Sequence, residues 1–160
     1  MNKSFFAEAR KCAERFCKAL NFNPEKSDHL ESKVVTSYLF GLLTMLGSEM
    51  DADGSEIQAS LVASLVHVFG FSERDASDLS AHVIKCTERE RHPAQFTVIE
   101  RGLEGYMEYY RTGKDAEFPK DIQSILDIMH EFPRLNNQTN DGSPLFVKSG
   151  LFYKRERRTT

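Results

Sequence analysis

Between Gly47 and Ile57 the chain reads GSEMDADGSEI, which places Glu49, Asp51, Asp53 and Glu56 within eight residues. Oxygen donors spaced this closely can build a calcium loop, whose ligands take positions 1, 3, 5 and 12 around a glycine at 6. Glu49, Asp51, Asp53 and Gly54 meet the first half of that pattern, but Glu56 stands where an apolar anchor belongs and Ser60 replaces the closing glutamate. A helix boundary fits better. Asp53 or Ser55 would cap a following helix, and carboxylates near its positive end gain ~0.3–1 kcal/mol each. A cap uses one or two of the four, so the stretch carries more acid than the boundary requires.

A second acidic row, Glu100, Glu104 and Glu108, repeats every four residues and shares one helical face. General acid–base chemistry wants opposed groups in unlike environments, and these are a row of equals. His82 and Cys86, four apart, also share a face and would make half of a zinc site, but no second pair accompanies them. Cys12 and Cys17 are five apart, about 140° around a helix, and cannot grip one ion together. Glycine-rich phosphate loops, nucleophile elbows and His-Glu metalloprotease motifs are absent from the sequence. The expectation is a protein without catalytic residues, metal ligands or cofactor, whose seven carboxylates Glu49, Asp51, Asp53, Glu56, Glu100, Glu104 and Glu108 meet a partner.

The elements that position these residues read as helices throughout. Apolar residues recur at helical spacing and no stretch before residue 140 alternates with a period of two. Six helices are expected: Ser4 to Leu20 with Ser4 as cap, Ser27 or Asp28 to Leu46, Ser55 to Phe69, a fourth capped by Ser72 and running to Cys86 or Thr87, a fifth opened by Pro93 and closed by Gly113, and Pro119 to Phe132. The second half of the second helix is apolar almost all round, so it should run through the middle of the bundle. Residues 1–133 thus form one all-α domain, and 134–160, with turn residues and the apolar pieces LFV and LFY, form an irregular or short-hairpin extension.

On the fifth helix, Phe96, Ile99, Leu103, Tyr106, Met107 and Tyr110 gather on one face, which the spacing assigns to the core. Val98, Gly102, Gly105 and Tyr109 fall opposite. Glycine costs about 1 kcal/mol relative to alanine inside a helix, so the pair predicts another backbone in close approach.

Composition narrows the partner. The chain has 160 residues and a net charge of −3, without the basic field that direct nucleic-acid binding needs. Charges interrupt every apolar run, so neither an export signal nor a membrane span is expected. Three cysteines, an odd number inside helical patterns, suit reduced thiols in the cytoplasm. Two acidic clusters on a nearly neutral chain, if brought together, would suit a basic protein surface.

The run HPAQFTVIERGLEGYMEYYRTG, with His92, Pro93, Ile99, Arg101, Gly102, Gly105 and Tyr106, resembles the HP…I.RG..GY stretch of immunity protein family 48, an all-α family of bacterial polymorphic toxin systems. YLFGLLTMLGSEMD and VHVFGFSERDASDL are similar to that family's middle section, and together the likeness spans about residues 38–113. The chain departs from it in having Tyr109 and Tyr110 where a tryptophan is expected. The resemblance implies a small cytoplasmic protein that binds a cognate toxin, for example a nuclease with a basic groove, and covers its working site without catalysis of its own. DADGSEIQASL is similar to a tellurite-resistance-type helical domain, which implies instead a stress-response or metal-binding module.

Overall fold

The computed structural model describes residues 3–132, and all of their regular elements are helical. In order they are α1 (Lys3–Leu20), α2 (His29–Glu49), α3 (Gly54–His67), α4 (Glu73–Cys86), α5 (Pro93–Gly105), a π-helical turn (Tyr106–Tyr110) that continues α5, and α6 (Glu117–Glu131). The all-α class and the six helices are as expected. α1 begins one residue before the expected cap Ser4, α2 runs three residues beyond Leu46, α3 ends at His67 rather than Phe69, and α6 starts ahead of Pro119. The extension expected from residue 134 lies outside the described residues.

α2 is the axis of the bundle. A helix that is apolar all round has no solvent side, and Val34, Val35, Tyr38, Leu39, Leu42 and Leu43 are at most 3% exposed. α1, α3, α4, α5 and α6 all pack against it. The α1 stripe Phe5, Ala9, Cys12, Ala13 and Phe16 is buried, as its spacing predicts. Phe16 stacks on Tyr38 at 5.3 Å and meets Phe118 edge-on at 5.2 Å. Such aromatic pairs contribute about 0.5–1.5 kcal/mol beyond the area they bury.

The connections explain GSEMDADGSEI. α2 ends in a left-handed residue, Asp51 at φ 56°, and the Ala52 N–H donates back to the Gly47 carbonyl at 2.8 Å. Two residues on, Asp53 accepts from the Glu56 N–H at 2.8 Å while the Glu56 carboxylate accepts from the Asp53 N–H at 3.1 Å. This reciprocal pair caps α3. A Cβ on Gly47 would stand 2.8 Å from Ile57, so that glycine lets α3 fold back against α2. One helix end and one helix start, placed back to back, therefore use Asp51, Asp53 and Glu56 without an ion. Asp53→Ala should lower stability by about 1 kcal/mol, read as a shift in the urea midpoint, whereas Gly54→Ala, with open space around its Cβ, should stay within ~0.5 kcal/mol of the parent.

Gly70, at φ +86°, stops α3, and Ser72 caps α4 by accepting from the Asp75 N–H at 3.1 Å. Gly113, at φ +69°, closes the π turn as expected, with the Lys114 N–H donating to the Tyr109 carbonyl at 2.8 Å.

Candidate interaction surface

α5 crosses α2 at backbone contact. A Cβ on Gly102 would lie 2.2 Å from the Tyr38 carbonyl oxygen, and one on Gly41 would lie 2.2 Å from the Ile99 carbonyl oxygen. Gly105 faces the Tyr38 ring, where a Cβ would fall 2.1 Å from the hydroxyl. The close backbone approach foreseen from the glycine pair is therefore present, and its partner is α2.

That crossing corrects the expected core face of α5. Ala94, Val98, Arg101, Gly102 and Gly105 are buried, together with Ile99 and Tyr106. Phe96, Leu103 and Tyr110 are only half-buried, and Met107 is 43% exposed. Two forces act on the rotation of this helix. Bulky side chains favour facing the core, but the glycine edge permits the nearest approach to α2 and wins. The π turn adds to the effect: the Arg111 N–H donates to the Tyr106 carbonyl at 3.0 Å, five residues back, which shifts the register of everything after Gly105.

The outward face of α5 and the π turn consequently carries Glu100, Glu104, Met107 and Glu108, with Arg111 beside them. The fold brings Glu49 to this edge. Its carboxylate accepts from the Tyr106 hydroxyl at 2.6 Å and pairs with Arg111 at 3.3 Å. Asp51 and Asp53 follow it as exposed residues, with Glu56 half-buried in the α3 cap. The two acidic clusters therefore adjoin through Glu49 and Tyr106.

They are not equally available. Glu104 pairs with Arg101, three residues earlier. Arg101 is itself buried, and its guanidinium grips both oxygens of Asp121 on α6, at 2.9 and 3.0 Å. The Tyr38 hydroxyl donates to the same carboxylate at 2.7 Å. Glu100 is half-buried, one of its oxygens lies under the surface with no hydrogen-bond partner, and burial raises its pKa, opposed by nearby Arg89. Asp51, Glu100 and Glu108 are the members of the set whose carboxylates no arginine or lysine pairs and no cap bonds, and of the three Glu100 is the one with an oxygen beneath the surface.

Six of the seven motif residues, all but Ile99, take the following structural positions. His92 sits at the cap position of α5 without a side-chain cap bond, and Pro93 opens the helix. Arg101 anchors α5 to α6, Gly102 and Gly105 admit α2, and Tyr106 ties the π turn to Glu49. Asp121 and Tyr38, which complete the Arg101 network, escaped the sequence reading. An aspartate near the start of a helix reads as an ordinary first-turn acid, and nothing local links it to an arginine twenty residues earlier.

The other chemical candidates are quiet. The Cys86 sulfur lies 3.4 Å from His82 Nε2, so that pair does share a face. Burial drives His82 down to about 4, with Lys33 and two further histidines adding to the effect. Burial also pushes the Cys86 thiol up to about 11 and the Cys12 thiol up to about 12, away from the reactive thiolate. Among the described residues no three His, Cys, Asp or Glu side chains are placed to hold a metal ion.

A protein-family model described as Immunity protein 48 matches residues 5–130, which takes in all six helices and reaches well beyond the motif-bearing 38–113. No curated protein and no solved structure matches the chain. With its motif residues gathered at the α2–α5–α6 seam and the match running from α1 into α6, the chain belongs to the immunity protein 48 family.

Proposed function

We propose that the protein neutralises a cognate bacterial toxin by binding it and covering its active or substrate site, without catalysis of its own. The observation that carries this reading is the family match across residues 5–130. On the acidic edge, Glu108 and Asp51, which no arginine or lysine holds, add a chemical preference, while Glu49 and Glu104 there are already paired with Arg111 and Arg101. A toxin acting on nucleic acid presents a basic groove, and carboxylates on a rigid helix face imitate the phosphates that groove is built to hold. Such a toxin would be met in the cytoplasm, where Cys12, Cys17 and Cys86 would remain thiols. No helix among the described residues is long and apolar enough to cross a membrane. The DADG stretch is accounted for by the α2 and α3 caps, which leaves the tellurite-resistance-type alternative without a supporting feature.

Co-expression with toxin domains of polymorphic toxin systems, beginning with any in the neighbouring reading frame, tests the reading: a stoichiometric complex and restored growth with one of them are expected, and failure of both throughout would overturn it. Within that complex, Glu108→Lys combined with Asp51→Lys should slow association about tenfold at low salt, the scale of electrostatic steering. Glu108→Lys should leave the urea midpoint in place, since its carboxylate is unpaired, and Asp51→Lys should lower it by no more than the cost of a lysine at the left-handed φ of 56°. Stopped-flow association rates across a salt series measure this. An unchanged rate would remove the acidic edge from the contact while leaving neutralisation itself intact.

A further inference from the structure

The chain divides its charge unevenly. From residue 133 onward it holds six lysines and arginines against two carboxylates, a surplus of four, so the remainder stands at −7 within a total of −3. The basic surplus is concentrated in LFVKSGLFYKRERR, residues 145–158, where it alternates with two apolar triplets. The family match ends at residue 130, before this segment begins.

At the end of the bundle away from Glu49, a cleft of about 640 Å³ opens between the α1–α2 connection and α4. Its apolar lining is Pro24, Phe71 and Leu79, and four carboxylates, Glu25, Asp28, Asp75 and Asp78, stand around it. All four are exposed. The ion pairs among the described residues join other carboxylates and none of these four. Asp28 caps α2 by accepting from the Glu31 N–H, which leaves its charge in place. Opposing them within the lining are Lys33 and the imidazoles of His29 and His82. The cleft therefore combines an apolar floor, room for aromatic side chains and a net negative rim. The α5 edge differs in charge, since Glu49 and Glu104 already hold arginines there.

We propose that this cleft is a docking site for the chain's own residues 145–158, with Phe152 and Tyr153 on the Phe71–Leu79 floor and the following cations against Asp75, Asp78 and Glu25. The last described helix, α6, ends close by. Met129, near the end of α6, shares a small cavity with Leu30 and Lys33, and Lys33 also lines the cleft. The nineteen residue steps from Phe132 to Leu151 span up to about 65 Å when extended, far more than the approach requires. Tethering supplies an effective concentration on the order of millimolar, so modest apolar and ionic contacts suffice to hold it.

The test uses the full chain with a photoreactive benzoylphenylalanine in place of Phe152. Irradiation should yield cross-links within one chain to 24–29 and 71–82, mapped by mass spectrometry, and raising the salt should diminish them. Asp75→Lys with Asp78→Lys should cut the yield severalfold at unchanged helical circular dichroism, and adding Arg157→Glu with Arg158→Glu should recover it. Cross-links to the α5 face, cross-links between chains, no cross-links, or a yield indifferent to the charge reversals would each overturn the proposal. No toxin enters this experiment, so its failure leaves the neutralisation reading untouched.

Discussion

Gly102→Ala is expected to destabilise the protein by about 2–4 kcal/mol, although alanine is the better helix former by ~1 kcal/mol. The new methyl carbon would start 2.2 Å from the Tyr38 carbonyl oxygen, a backbone atom on the most buried helix of the bundle. A side chain in the way can change rotamer, but here two helices must move apart, and every contact along the α2–α5 seam loosens with them. Interiors packed to crystal density yield little to such a displacement. Gly41→Ala meets the same obstacle from the other side, at the Ile99 carbonyl oxygen. The two substitutions act on one gap, so their combination should cost less than the sum. Gly105→Ala presses on the Tyr38 ring and endangers its bond to Asp121 instead. Urea unfolding followed by circular dichroism decides the matter. A Gly102→Ala protein within 1 kcal/mol of its parent would mean that α5 does not rest on the backbone of α2.

The same glycines mark where sequence reading succeeded and where it stopped. Helix positions were legible because burial on one side imposes a 3.6-residue period, and the ends were legible because Gly70, Ser72 and Gly113 have backbone or hydroxyl chemistry that stops or starts a helix. Gly102 and Gly105 announced a close approach. Which way α5 would turn was not legible, since an apolar pattern weighs the side chains present and takes no account of the closeness that an absent one permits. Met107 was assigned to the core for that reason and lies 43% exposed. The π turn compounded the error, because one extra residue in a turn leaves no compositional trace. Among the site residues, Arg101 and Glu104 are three apart, a spacing that brings opposite charges together on a helix. That signal was present in the sequence and would have separated Glu104 from the unpaired Glu108. Asp121 had no such signal, because its partners lie on other helices.

Arg101→Met is expected to cost about 3–5 kcal/mol, the scale for stripping one partner from a buried ion pair. Arg101 is 6% exposed, and the Asp121 side chain is 13% exposed. Burial works against the charge on Arg101, but Asp121, Tyr38 and Glu104 more than offset it, and the net direction of its pKa is upward. Without the guanidinium, Asp121 keeps a buried charge whose remaining hydrogen-bond donor is the Tyr38 hydroxyl. Most of the loss is therefore the stranded carboxylate and not the pair itself. Arg101→Met with Asp121→Leu should regain a large part of it, because an apolar pair of similar volume replaces buried ions at little cost. Urea midpoints of the two variants distinguish these cases: equal stabilities would mean that Arg101 acts through its packing alone. The double variant also leaves Glu104 without its cation at the edge of the acidic face. If carboxylates there steer a basic toxin, the refolded double variant should associate faster than the parent at low salt, so the residue that holds α5 to α6 also sets how much charge the face presents.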